Sequence, residues 1–289
     1  MFEFIVNPVA GKGKSLNALR QAEKKFSEKG VEYRVHKAER AGHATEICRE
    51  LTENGANIVV FGGDGTFNEA LNGIVDFENT TVGFVPCGTG NDYVKATDIP
   101  RDVDRALERI LGGKTGYTDF IDMNGRRCLN VAGGGMDTDV LVTYAQMKHF
   151  HGKAKYYISL LKVLSHLKFH KVRISIDGGE AAEKSVFLIS IANGIYIGGG
   201  MPISPNSSVN DGKLNVVIVN EIKKSKVLGL LLKFLKGKHL EEPCSEEYLC
   251  DSAKLEMLDE GSVQADGEVT DYKVLDCRIV HDVLRVFVD

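Results

Sequence analysis

Ile58-Val59-Val60-Phe61-Gly62-Gly63-Asp64-Gly65-Thr66-Phe67-Asn68-Glu69 is the stretch on which the fold turns. Its unbroken apolar run is too short for a helix and lacks the alternation of a half-exposed strand, so it reads as a strand buried on both faces. It feeds directly into a loop of small residues, and a helix is expected from Phe67 to Ile74. A buried strand, a glycine-rich loop and a helix in that order are the unit of a parallel sheet with helices on both faces.

The same unit repeats on either side. Phe2 to Val6 is a strand, followed by a helix from about Ser15 to Glu28 with Leu16, Leu19, Ala22 and Phe26 at helical spacing and Gly30 closing it. Tyr33 to His36 is a second strand and His43 to Thr52 a second helix. Val82 to Val85 is a fourth strand, ending at Pro86-Cys87-Gly88-Thr89-Gly90-Asn91-Asp92, with a helix from about Val103 to Leu111 beyond it. From about Thr118 the pattern changes to short runs of period two, as in an antiparallel sandwich. Cys128 to Ala132, Val172 to Ile176, Val186 to Ala192, Leu214 to Val219 and Leu255 to Leu258 are its expected strands. Helical stretches at Val140 to His170 and Ser225 to Lys236 interrupt them. The domains expected are 1–124, an α/β domain, and 125–282, a β-sandwich, with 283–289 returning to the first.

Three strand ends of the first domain run into loops of small residues: Asn7-Pro8-Val9-Ala10-Gly11-Lys12-Gly13-Lys14-Ser15, the Gly62 loop and the Gly88 loop. In open parallel sheets ligands lie outside the carboxyl ends of the strands, so these loops are expected to share one crevice. Glycine lets the backbone approach an anion with its amides turned inward, and a following helix adds its positive end. A phosphate-bearing ligand fits such a crevice. Two familiar motifs fail, however: a Walker loop ending at Gly13-Lys14-Ser15 would need glycine where Pro8 stands, and the dinucleotide fingerprint starting at Gly63 would need it at Asn68. Each loop taken singly is also readable as a plain tight turn. Asp64 between glycines, with the hydroxyl of Thr66 beside it, points further, to a metal-bound triphosphate.

The 289 residues suit two domains, and 43% hydrophobic with 26% charged residues is the composition of a globular protein. A formal charge of −4 argues against a nucleic-acid partner. Cys48, Cys87, Cys128, Cys244, Cys250 and Cys277 are scattered and form no Cys-x-x-Cys pair, so neither zinc nor disulfides are expected. Met1 to Ala10 reads as no secretory signal and no apolar run approaches a membrane span, so the expected location is the cytoplasm, with membrane contact only peripheral.

Taken in order, Asn7-Pro8 with Gly11-Lys12, Gly62 to Glu69, Gly88-Thr89-Gly90-Asn91-Asp92, Gly198-Gly199-Gly200-Met201 with Pro205, Asp211-Gly212-Lys213-Leu214 and Asp266-Gly267-Glu268 resemble the diacylglycerol kinase catalytic-domain family, especially its soluble bacterial lipid kinases, which are related to sphingosine kinases. The Gly-Gly-Asp-Gly-Thr element alone is shared with NAD kinases and phosphofructokinase-like folds; the ordered set is far more specific. The resemblance implies a phosphofructokinase-like N-terminal domain, a C-terminal β-sandwich, and ATP in the cleft between them. It carries nucleotide contacts to Asn7, Pro8, Val9, Ala10 and Gly11, to Gly62, Gly63, Asp64, Gly65, Thr66, Phe67, Asn68 and Glu69, and to Gly88, Thr89, Asn91 and Asp92, with Lys12 near the phosphates. Where the family often has a threonine before its Gly-His-Ala step, this chain reads Lys37-Ala38-Glu39.

Asp266-Gly267-Glu268 is by itself a hairpin turn of Asp-Gly type, yet its two carboxylates could also accept a proton from an acceptor hydroxyl during phosphoryl transfer. The resemblance favours the second reading and leaves Asp266 and Glu268 both as candidates. It also implies that Asp211 holds Mg2+ with the main-chain oxygens of Ser208 and Lys213, that water joins this ion to Asp64, and that a second Mg2+ arrives with ATP. The implied acceptor is a lipid hydroxyl, on diacylglycerol or a similar acylated alcohol. The alternatives are a lipid-binding or regulatory protein on a catalytically idle kinase scaffold, and a kinase for NAD or a sugar.

Between Val140 and Ile176 there is no acidic residue, whereas Lys148, Lys153, Lys155, Lys162, Lys168, Lys171 and Arg173 are interleaved with Phe150, Tyr156, Tyr157 and Phe169. This reads equally as a surface for anionic headgroups or as a solvated helix with Tyr157, Leu160, Leu161 and Leu164 packing inward. Leu228, Leu231, Leu232 and Leu235, bordered by Lys223, Lys224, Lys226, Lys233, Lys236 and Lys238, make either an interfacial or a core helix. No role falls to His149, His151, His166 or His170. A homodimer is compatible with the chain.

Overall fold

The computed structural model describes residues 1–147 and 152–289. They form two compact units: Met1–Phe120 with Val209–Gly212 and Val280–Asp289, and Ile121–Ser208 with Lys213–Ile279. The first unit thus gains Val209–Gly212, which the sequence pattern assigns to the other domain. Hydrogen bonds account for the difference: the Asp119 N–H donates to Val209 O at 2.6 Å, the Thr118 hydroxyl donates to the same oxygen at 3.0 Å, and the Gly212 N–H donates to Asp119 Oδ2 at 2.8 Å.

In the first unit β1 (Phe2–Val6), α1 (Lys14–Glu28), β2 (Tyr33–Lys37), α2 (His43–Leu51), β3 (Asn57–Gly62), α3 (Asp64–Gly73), β4 (Thr81–Pro86), α4 (Asp92–Lys95) and α5 (Val103–Gly112) follow one another. The parallel sheet has the order β2-β1-β3-β4, and the last residues of the chain add to it, Val286 lying opposite Val82. From β1 the chain goes one way to β2 and then the other way to β3, so the strand order reverses between β1 and β3. That reversal opens the crevice in which such sheets bind ligands. Phe4, Val6, Val59, Phe61 and Val85 pack under α1 and α5, against Phe26, Leu107 and Ile110. Ile5, Ile58 and Val60 alternate with them and are as completely buried, which is why these strands read as continuous apolar runs.

One boundary matters for the site. Helix α3 begins at Asp64 rather than at the expected Phe67, with Gly63 extended as its N-cap. Asp64, Gly65 and Thr66 are therefore the first turn of a helix and not a loop. The glycines mask this start in the sequence, since glycine is the poorest helix former after proline.

β5 (Thr115–Met123) leads into the second unit, where β6 (Arg126–Cys128), β7 (Val131–Gly135), α6 (Met136–Gln146), α7 (Gly152–Ser165), β8 (His170–Ile176), β9 (Ala182–Ala192), β10 (Tyr196–Ile197), β11 (Met201–Pro202), β12 (Leu214–Asn220), α8 (Val227–Phe234), β13 (Ser245–Cys250), β14 (Ser252–Met257), β15 (Val263–Ala265), β16 (Glu268–Thr270) and the start of β17 (Val274–Phe287) follow. Its pairs are antiparallel: β7 and β8 with β9, β9 with β12, β12 with β13, β8 with β14, β14 with β17, and β7 with β15. The strands turn one set of side chains, including Ile121, Ala132, Ile174, Ile191, Val216, Leu255, Ala265 and Leu275, into a single core. A second apolar layer, with Val131, Leu188 and Val219, is covered by Met136 and Val140 of α6, Val163 of α7 and Leu230 and Phe234 of α8.

Candidate functional site

The three loops of the first unit meet where β1, β3 and β4 end. The Asn7 side chain donates from Nδ2 to Thr66 Oγ1 at 3.1 Å, its Oδ1 accepts the Val9 N–H at 3.2 Å, and its carbonyl accepts the Ser15 hydroxyl at 2.6 Å. The loop after β1 is thereby fixed to the first turn of α3. A Cβ on Gly11 would stand 1.9 Å from Cys87 O, and one on Gly88 would stand 2.6 Å from Gly63 Cα. These glycines are where the backbones of the three loops touch, and any side chain there would push them apart.

Open space adjoins this packed centre. A Cβ on Gly65 or on Gly13 would meet nothing within 4 Å. Both glycines stand at helix starts, Gly13 capping α1 and Gly65 in the first turn of α3, so unpaired helix amides and the positive ends of two dipoles adjoin the gap. Lys12 is exposed with φ +59° in the turn before α1. Asn91 Oδ1 is buried with no hydrogen-bond partner, while its Nδ2 donates to Gly88 O at 3.1 Å. Helix starts beside open space suit the phosphates of a nucleotide.

The remaining expected contacts divide. Asp64 Oδ1 accepts the Tyr93 N–H at 3.0 Å, tying the start of α3 to α4. Asp92 is buried and pairs with Lys95 Nζ at 2.8 Å. Thr89 and Val9 are exposed, and Pro8 and Ala10 are half-buried beside them. Phe67, by contrast, is fully buried against Phe84, their rings 4.4 Å apart, so its side chain belongs to the core. Asn68 is buried and receives Asn72 Nδ2 at 3.1 Å, and Glu69 Oε2 accepts the Ala44 N–H of α2 at 3.2 Å. The helical turn that follows Thr66 carries Phe67, Asn68 and Glu69 into the fold, a consequence of α3 starting at Asp64.

A pair the sequence does not reveal is Asp119 with His281. Asp119 is fully buried, and His281 Nδ1 lies 2.7 Å from its Oδ1 while the Gly212 amide occupies Oδ2. The hydrogen bond to Asp119 raises the His281 pKa. This pair holds the turn carrying Asp211, whose side chain is exposed. Asp119 and His281 lie 162 positions apart, and no local motif links them. Among the described residues no cluster of three or more His, Cys, Asp or Glu side chains is spaced for a metal; a set of one carboxylate and main-chain oxygens is of a different kind. Lys213 Nζ pairs with Asp251 Oδ1 at 2.7 Å.

In the second unit Asp266 and Glu268, two positions apart in sequence, have unlike surroundings. Asp266 has φ +49° between β15 and β16, and its carboxylate accepts the backbone N–H groups of Leu129 at 2.7 Å, Asn130 at 2.8 Å and Val131 at 3.3 Å. Burial raises its pKa against the pull of those amides. The same contacts explain why the strand expected from Cys128 to Ala132 is broken into β6 and β7: the amides between them serve a carboxylate. Glu268 opens β16, is exposed, and pairs with Arg126 Nη2 at 2.6 Å.

Residues 2–123 match the family model "Diacylglycerol kinase catalytic domain" and residues 130–288 match "YegS C-terminal NAD kinase beta sandwich-like domain". A diacylglycerol kinase of Bacillus subtilis strain 168 is 30% identical over 91% of this chain and 88% of its own length. The chain belongs to the diacylglycerol kinase family. A diacylglycerol kinase of Staphylococcus aureus strain MRSA252 is 32% identical over 83% of this chain and 76% of its own. A solved structure of a Bacillus anthracis diacylglycerol kinase superposes with a TM-score of 0.73 at 24% identity, covering 100% of this chain and 96% of its own. An Archaeoglobus fulgidus NAD kinase solved with ATP shares the fold, with a TM-score of 0.57 at 12% identity over 100% of this chain and 94% of its own. The family match covers both halves of the chain, so the α/β domain and the β-sandwich-like domain belong to one architecture. The curated relatives named diacylglycerol kinase favour the lipid-kinase reading over an NAD or sugar kinase.

The basic stretch is only partly described. Lys148, His149, Phe150 and His151 lie outside the described residues, as do the side chains of Lys153, Tyr156 and Tyr157. Leu160 and Leu164 pack partly inward as expected, but Leu161 is 66% exposed. Lys155 Nζ lies 4.2 Å over the Tyr144 ring. Helix α8 buries Val227, Leu230 and Phe234, not the expected leucine row, and leaves Leu228, Leu232 and Leu235 exposed.

Proposed function

We propose that this protein transfers the γ-phosphoryl group of ATP to the hydroxyl of diacylglycerol or a similar acylated alcohol. The observation that carries the reading is the convergence of the three glycine loops at the strand-order reversal, with open space at two helix starts. The first unit binds and orients: amides at the starts of α1 and α3 face the phosphates, Lys12 adds a cation beside them, and Asn7 and Thr66 hold two loops in register. Magnesium, bound by Asp211 with the main-chain oxygens of Ser208 and Lys213 and delivered again with ATP, would supply charge neutralisation. The set suits this ion because it is all oxygen and spans only six residues of chain.

In the transfer the acceptor oxygen forms a bond to the γ-phosphorus as the bond to the β–γ bridging oxygen breaks, and the hydroxyl proton must leave. Of the two carboxylates in the β15–β16 turn, Glu268 is the one with an accessible oxygen and takes that proton. Asp266, committed to the amides of residues 129–131, shapes the turn.

The acceptor is membrane-borne, and the exposed leucine row of α8 supports peripheral contact with the cytoplasmic face of a membrane. No helix among the described residues is long and apolar enough to cross one. Leu228, Leu232 and Leu235 lie on one helix face, with exposed Lys223, Lys224, Lys226, Lys236 and Lys238 around it and Lys233 paired to Glu242. Three leucines entering lipid gain about 1.5 kcal/mol or more each, and cations near an anionic surface about 1 kcal/mol each.

One assay tests the reading: transfer of labelled γ-phosphate to diacylglycerol in anionic and in zwitterionic vesicles. Glu268→Gln is expected to lower turnover by about 100-fold or more while ATP binding, followed by thermal shift, is unchanged. Wild-type turnover in Glu268→Gln and in an Asp266→Asn, Glu268→Gln double variant would overturn it. Faster turnover in anionic vesicles is expected, and its absence removes the membrane part alone.

A further inference from the structure

The turn that presents Glu268 is held from a second side. Along β15 Val263 and Ala265 face the sandwich core, so Gln264 between them faces the opposite side, where α6 packs. Gln264 is 1% exposed, and its amide makes two directed bonds: Oε1 accepts the Gly267 N–H at 2.9 Å, and Nε2 donates to Asp137 Oδ2 at 3.4 Å. Asp137 stands in the first turn of α6 and is buried, with its other oxygen, Oδ1, lacking any partner.

The sheet is shaped to admit this connection. Gln264 lies opposite Gly133 on β7, and Gly133 lies opposite Ser190 on β9. Directly opposed residues share a face of the sheet, so no side chain of β7 stands between Gln264 and Ser190 on the side of α6. A Cβ on Gly133 would stand 2.2 Å from Ile189 O, so no larger residue fits. A buried glutamine and a buried carboxylate are costly beside Val131, Leu188, Met136 and Val140, where apolar side chains would pack at no polar cost. Their bonds end on one backbone amide, that of Gly267, the residue before Glu268.

We propose that Asp137 and Gln264 are positioning residues for this turn: a buried side-chain strut from the start of α6 to the Gly267 amide that fixes the direction in which Glu268 leaves the turn. Asp266 anchors the turn on residues 129–131, and the strut removes the remaining rotation about that anchor. This rests on the reading of Glu268 as proton acceptor. A displacement of a catalytic group by about 1 Å is enough to cost about 100-fold in rate.

The strut has a polarity, acceptor at residue 137 and donor at residue 264, and polarity can be reversed. Gln264→Glu sets two carboxylates against each other and is expected to lower kcat by about 10- to 100-fold with KM for ATP unchanged. Asp137→Asn keeps an acceptor oxygen toward Gln264 and is expected to retain kcat within about threefold of wild type, well inside the cost of a misplaced group. The double variant Asp137→Asn, Gln264→Glu lets the new amide donate to the new carboxylate, whose second oxygen still accepts the Gly267 N–H, and it is expected to recover kcat. Gln264→Met, similar in shape and without polar atoms, serves where the glutamate variant does not fold, and it too should lose kcat with KM for ATP preserved. Wild-type kcat in Gln264→Glu or in Gln264→Met, or a double variant no faster than Gln264→Glu, overturns the strut. Glu268→Gln in the same assay separates the two claims: if it retains turnover the proton-acceptor reading fails, and if it loses turnover while the Gln264 variants do not, only the strut fails.

Discussion

The glycines around Gly63 and Gly88 and the glycine at 267 serve different physical ends. In the first unit the backbones of two loops come so close that a Cβ on either Gly63 or Gly88 would stand within 3 Å of the other's Cα. Neither has a positive φ, so crowding alone excludes a side chain. At Gly267 the reverse holds: φ is +82° and a Cβ would meet nothing within 4 Å. Handedness of the chain, not space, calls for glycine there. The meeting of the glycine loops is thus made by packing backbone against backbone, whereas the turn before Glu268 is made by a local backbone conformation that buried side chains then hold in place. Asp64 and Asp266 follow the same division: one joins two helix starts through the Tyr93 amide, and the other gathers three amides of a strand break.

Substituting the two kinds of glycine is the sharpest way to break this comparison. Gly88→Ala forces two loop backbones apart and is expected to destabilise the protein by about 2 kcal/mol or more, in the manner of an overpacked core. It should also abolish the thermal shift produced by ATP. A melting temperature and an ATP-induced shift both equal to wild type would show that the loops are not in contact as described.

The support of the second turn can be sharpened through Asp137. Burial pushes its carboxyl up to about 6 from an ordinary 3.8. Because the folded state holds the proton more tightly than the unfolded chain, the penalty is absent below about pH 4, develops between pH 4 and 6, and is complete above. Asp137→Asn is expected to raise stability in urea by up to about 3 kcal/mol at pH 7.5, with most of the gain gone at pH 4.5. An equal gain at both values would mean that ionisation of Asp137 is not the source. The smallest effect belongs to Gly267→Ala, expected at about 1 kcal/mol, since only the left-handed backbone is strained. A loss as large as that of Gly88→Ala would erase the distinction between the two turns.

Much of the architecture is legible in the sequence because the cause is local. Four apolar strand runs and the loops after them give the α/β half, and period-two runs give the sandwich. The misreadings have a common origin in contacts that are distant along the chain. The start of α3 is hidden because Gly63, Asp64 and Gly65 have poor helix propensity, which the contact of Asp64 with the Tyr93 amide overrides. The break between β6 and β7 falls at Leu129-Asn130 because a carboxylate 136 residues further on takes the Asn130 amide. The leucine row of α8 is legible as an apolar face, but whether it is covered is open because Leu228 and Leu230 are alike in sequence, and only the neighbours of the helix decide which is covered.

By itself the sequence determined that runs of two different classes follow one another, that three glycine loops end strands of the first, and that Asp211 and Asp266 stand in turns. Periodicity and glycine placement carry that much, because they act over a few residues. Tertiary structure decided which glycines are excluded from having side chains by contact, that Asp119 and His281 hold the Asp211 turn, and that of two neighbouring acids Glu268 is accessible while Asp266 is committed to backbone amides. Those distinctions depend on what lies within about 3 Å of an atom, the reach of a hydrogen bond or a steric clash, and chain order does not encode that distance.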